Sequence, residues 1–108
     1  MNVFLHLRPR VTPASFQATL ARQIRGGQHK AWEVVRSRPL TIRHKGRFKS
    51  VVTVKTASRR SASDHPAPDV TATMTGKDAG FVLRYFVGLV VMKLGAQVKG
   101  FYVPVDEQ

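Results

Sequence analysis

Residues 3–27 read VFLHLRPRVTPASFQATLARQIRGG, a strand pattern that runs straight into a helix pattern. Val3, Leu5 and Leu7 alternate with Phe4, His6 and Arg8, the period-two signature of a half-buried strand. Thr12-Pro13 then opens a helix. Thr12 is an N-cap, and the ring of Pro13 is pre-set for a first helical turn that lacks a use for its missing N–H. Phe16, Leu20 and Ile24 recur every four residues as one apolar stripe, with Gln17, Arg22, Gln23 and Arg25 off it. Gly26-Gly27 ends the helix, since glycine reaches left-handed backbone angles at little cost.

Outward from this βα unit the chain turns to strands. Residues 31–36, 40–44 and 48–56 are strand-like, with Pro39 breaking the first from the second. Lys45-Gly46-Arg47 is the expected tip of a hairpin. Residues 57–68 are Ser, Ala, Pro, Arg and Asp without apolar period, which predicts an exposed, mobile loop. Val70, Ala72 and Met74 alternate as a further strand. Thr75-Gly76-Lys77-Asp78 has the form of a capping box with Thr75 as the cap. The helix it opens, 76–94, stops at Gly95, and a last strand over 97–105 precedes Asp106 and Glu107. The order is β-α-β-β-β-β-α-β in one domain, 1–108. The simplest packing is an α+β fold, an antiparallel or mixed sheet with two helices on one face. Its plan would be ferredoxin-like (split βαβ) with an extra hairpin.

Charge is the strongest functional signal. Eighteen Lys and Arg oppose six Asp and Glu, for a net charge of +12 and a pI near 11.4. Such a one-sided balance repels itself in a compact state and fits an anionic partner, nucleic acid first among them. Half of the basic residues lie in an acid-free stretch between Glu33 and Asp64: Arg36, Arg38, Arg43, Lys45, Arg47, Lys49, Lys55, Arg59 and Arg60. With a three-residue tip, Leu40 faces Val52 and His44 faces Phe48, and Ile42 and Val54 turn to the core. The opposite face then sets Arg43 across from Lys49, with Lys45, Arg47 and Lys55 near. Like charges opposed on a sheet cost stability, and a phosphate between them would turn repulsion into attraction. A two-residue tip would scatter the charges over both faces. The plainer alternative is an edge hairpin whose cations block strand-to-strand aggregation. Arg59-Arg60 would act as a basic arm, and Arg22, Arg25 and Lys30 would extend the surface. Trp32 and Phe48, with Phe4 and Tyr102 behind them, are the aromatic candidates for stacking on bases.

From residue 79 to 94 nearly every position is apolar, so this helix needs cover on several sides. A homodimer or a protein partner meeting Phe81, Tyr85, Gly88 and Met92 would supply it, with backbones approaching at Gly88. Enclosure by the sheet alone is the competing expectation.

Catalytic and metal signals are weak. There is no cysteine, which excludes thiolate catalysis and thiolate metal sites. His6, His29, His44 and His65 lack ligand spacing, and no phosphate-cradling glycine loop is present. No cofactor or metal is expected. With no secretory pattern and no apolar run long enough for a bilayer, a cytoplasmic protein without membrane contact is expected. The sequence therefore points to a nucleic-acid-binding protein, not an enzyme, favouring RNA or single-stranded DNA, as a subunit of a larger assembly. Two other classes compete. One is an adaptor or inhibitor whose basic face meets an acidic protein. The other is a small ribonuclease toxin using His44 among Arg43, Lys45 and Arg47.

Overall fold

A computed structural model of the chain describes residues 1–46, 50–57 and 67–104. The elements run β1 (Asn2–Leu7), α1 (Pro13–Arg25), β2 (Trp32–Ser37), β3 (Leu40–His44), β4 (Val51–Thr56), β5 (Val70–Met74), α2 (Ala79–Lys93) and β6 (Val98–Tyr102). All six strands join one antiparallel sheet in the order β2-β3-β4-β5-β1-β6. The α+β class is as expected, and the ferredoxin-like plan is met only loosely. Strands β6-β1-β5-β4 follow the split βαβ order, while β2 and β3 widen the sheet beyond β4. The connection through α1 therefore returns at the far edge.

Both helices cover one face of the sheet. The inward residues Val3 and Leu5 of β1, Ile42 of β3, Val52 and Val54 of β4, and Val70, Ala72 and Met74 of β5 form a single core with Phe16, Leu20 and Ile24 of α1 and Val82, Phe86 and Val90 of α2. Each of these side chains except the small Ala72 contributes about 1.5–3 kcal/mol by leaving water. Helix α1 begins as its sequence predicts. Thr12 Oγ1 accepts from the Ser15 amide at 3.0 Å, and Ser15 Oγ accepts from the Thr12 amide at 3.1 Å. The box is completed by Ser15, two residues after the proline. The helix ends at Gly26, with Gly27 at φ +81°.

Three local expectations are corrected. Helix α2 starts at Ala79, and its N-cap is Asp78 without a side-chain capping bond, not Thr75. Gly76 at φ +101° turns the chain first, and Ala79 N–H then donates to the Gly76 carbonyl at 3.2 Å. The hairpin register also differs. Leu40 pairs with Val54, Ile42 with Val52 and Arg43 with Val51, so Arg43 does not oppose Lys49. Strand β4 is Val51–Thr56, and residues 47–49 of the expected hairpin lie outside the described residues. A shift of two residues keeps every side chain on its face, which is why the core assignment of Ile42, Val52 and Val54 survives. The last strand is shorter than expected, Val98–Tyr102. Most of the loop expected over 57–68 lies outside the described residues.

Candidate nucleic-acid interface

Both helices lie on one side, so among the described residues no helix covers the other face of the sheet, and alternation along each strand decides what that face carries. Pairing aligns these outward residues in rows across the strands. One row runs Arg36, Thr41, Thr53, Thr73, Asn2 over β2, β3, β4, β5 and β1. Within it Thr73 Oγ1 donates to Asn2 Oδ1 at 2.8 Å. The next row runs Lys55, Thr71, Phe4, Tyr102 over β4, β5, β1 and β6. At a strand spacing of about 4.8 Å, its ends lie about 14 Å apart. Phe4 and Tyr102 stack with ring centroids 6.2 Å apart and planes at 13°. His6 stands beside them, opposite Gly100.

The face is cationic at its β2–β4 side and aromatic at its β1–β6 side. Among the described residues its acid is Glu33, which pairs with Arg43 directly across the β2–β3 ladder. Arg43 Nε donates to Glu33 Oε1 at 2.8 Å. This pair replaces the expected like-charge opposition of Arg43 and Lys49. Throughout the described residues, every lysine and arginine is exposed. Asp69, by contrast, turns inward on the chain, accepting from the Leu7 amide at 2.7 Å.

The expected basic residues separate into groups. Arg36, Arg43 and Lys55 point from the open face. Arg38 occupies the β2–β3 turn, and Arg25 of α1 reaches that turn by donating to Ser37 Oγ at 2.7 Å. Arg25, Arg36 and Arg38 therefore share one corner of the molecule, with Arg22 one turn earlier on α1. Lys45 follows β3, and its amide donates to the Ala31 carbonyl at 2.7 Å. Arg47, Lys49, Arg59, Arg60 and Phe48 lie outside the described residues.

Trp32 is not a surface stacking residue. It is 5% exposed and packs edge-on against Phe86 at 6.4 Å and His44 at 5.3 Å. The reason is parity, since Trp32 pairs with His44 on the helix side of the ladder. His44 touches Tyr85 as well, at 5.1 Å, and its Nδ1 accepts from the Gly46 amide at 3.1 Å. The aromatic pair on the open face is Phe4 and Tyr102, not Trp32. Its signal in the sequence is an aromatic at an outward position of each of two strands that become neighbours.

Among the described residues no group of three or more His, Asp or Glu side chains could hold a metal ion. No described helix is long and apolar enough to cross a membrane. Compared with protein-family models, with curated proteins and with solved structures, the chain matches none.

Proposed function

We propose that this protein binds single-stranded nucleic acid, RNA or DNA, across the open face of its sheet. The supporting observation is the composition of that face among the described residues: cations Arg36 and Lys55 at one side, stacked Phe4 and Tyr102 at the other, threonines between, and one acid, Glu33, already paired with Arg43. Phosphates would lie toward Arg36 and Lys55, with the hydroxyls of Thr53, Thr71 and Thr73 as hydrogen-bonding partners. Bases would stack at the aromatic end, where any base offers a π-face, so recognition would tolerate sequence. A sheet face suits splayed single strands better than a duplex groove, which takes a helix or ribbon.

Fluorescence anisotropy with labelled single strands and duplexes of RNA and DNA tests this. Single strands should bind more tightly than duplexes at physiological salt. Phe4→Ala or Tyr102→Ala should weaken single-strand binding by about tenfold, within the 1–3 kcal/mol of a lost stacking contact. Equal binding of duplexes, with no effect of either substitution, would reduce the positive charge to a nonspecific property. Cleavage of the RNA probe that disappears in His44→Ala would instead make the protein a ribonuclease.

A further inference from the structure

Helix α2 carries a second surface on the opposite side of the molecule. Its inner residues Val82, Phe86 and Val90 are buried, while Phe81, Tyr85, Gly88 and Met92 follow one another at four-, three- and four-residue spacing along its outer ridge. Phe81 is 55%, Tyr85 52% and Met92 77% exposed, and Val91 beside them is 53%. Contiguous exposed apolar side chains of this size mark an interaction site. A methyl group built at Gly88 would meet nothing within 4 Å, so the ridge dips between Tyr85 and Met92. There it opens into a shallow cleft of about 340 Å³ between α2 and residues 28–32, with Trp32 and Leu89 among its apolar walls. Lys30, Arg84 and Lys93 frame it, and no acid is among the described residues that line it.

We infer that this ridge and cleft dock an acidic amphipathic segment of another protein, its apolar side chains on Phe81, Gly88 and Met92 and its carboxylates on Arg84, Lys93 and Lys30. Charge selects that occupant over a second copy. Two ridges face to face would bring Arg84 and Lys93 of each chain toward those of the other, on molecules that each carry +12, and opposed like charges suppress a pairing. A segment with carboxylates beside its apolar residues meets both features at once, in the manner of an amphipathic helix laid in a groove. The surface stands apart from the open sheet face, so the inference does not rest on nucleic-acid binding. Both faces could be occupied together.

Trp32, the sole tryptophan of the chain, lies in the cleft wall and reports on its occupancy. The test titrates the full protein with a synthetic peptide bearing leucine at helical three- and four-residue spacing and glutamate elsewhere. A scrambled peptide and a lysine-for-glutamate peptide serve as controls. The acidic amphipathic peptide should change Trp32 emission saturably, and the controls should not. Arg84→Glu and Met92→Glu alter exposed side chains, and circular dichroism checks that both remain folded. Each should weaken the peptide by about tenfold or more, and Arg84→Glu should gain affinity for the lysine peptide. Single-strand nucleic-acid binding should not change in either. Absence of peptide binding, or equal binding of the scrambled peptide, would overturn the inference. So would a dimer in sedimentation that Met92→Glu dissociates, or a loss of nucleic-acid binding in these variants, since each would give the ridge a different occupant.

Discussion

His29 follows the end of α1, 7% exposed, with its Nε2 within 2.7 Å of Gln23 Oε1. Burial pushes its pKa below the ordinary histidine value, and the positive charge of Lys93 pushes the same way. Well above the ordinary histidine pKa of about 6.5 the imidazole is neutral in the folded and unfolded chain alike, and its burial carries no protonation cost. As pH falls below that value the unfolded chain takes up a proton that the buried ring resists, so the unfolded state gains. Stability present above the ordinary pKa is therefore lost on acidification. Urea unfolding across about pH 5.5 to 7.5 should show this loss, and His29→Gln should flatten it. An equal slope in the variant would assign the effect to the overall charge. Single residues were legible where the chemistry is local. Thr12 and Pro13 cap α1 as their types require. Thr75 failed as a cap because the positive φ of Gly76 turns the chain before the helix can start. The bond between Arg43 and Glu33 needs residues ten apart to become cross-strand neighbours, and nothing local specifies that.

At the scale of elements, α2 carries two glycines inside a regular helix. Gly88 has open space where a side chain would stand and lies in the helix interior. Gly88→Ala should therefore stabilise the protein by about 0.5–1 kcal/mol, because alanine leaves the unfolded chain fewer conformations to lose. Denaturant unfolding measures it, and a destabilised variant would mean that the helix is closely covered at that point. The apolar girth of α2 was legible in the sequence, but its division into a buried and an exposed side was not. One sheet can cover only one side of a helix, and which side faces it depends on where β4 and β5 lie. Strand identity was legible from period-two alternation, while the β3–β4 register was not. Turn length decides register, and shifts of two residues leave the apolar pattern satisfied.

Across the whole molecule, the excess of positive charge makes salt the most direct probe of the proposed function. Each phosphate neutralised on a single strand releases counterions, so the logarithm of affinity falls with the logarithm of salt by about 0.7 per contact. Changing Arg36 and Lys55 together to alanine should lower that slope by about 1.4. Arg43→Ala should weaken binding further, because it leaves Glu33 uncompensated on the same face. An unchanged slope in the double variant would move the phosphate path off the open face, toward the corner of Arg25 and Arg38 or to residues beyond those described.

What the sequence determined by itself was the kind of each element, the inward positions of the strands and of α1, and the sign of the surface. These depend on spacing along the chain and on simple counts. Only the tertiary structure decided which sheet face stayed open and which outward residues met on it. Asn2 reaches Thr73, and Phe4 reaches both Thr71 and Tyr102, only through the strand order β4-β5-β1-β6. Periodicity tells each strand which side chains to bury. It does not say which strands become neighbours, and a binding face is assembled from neighbours.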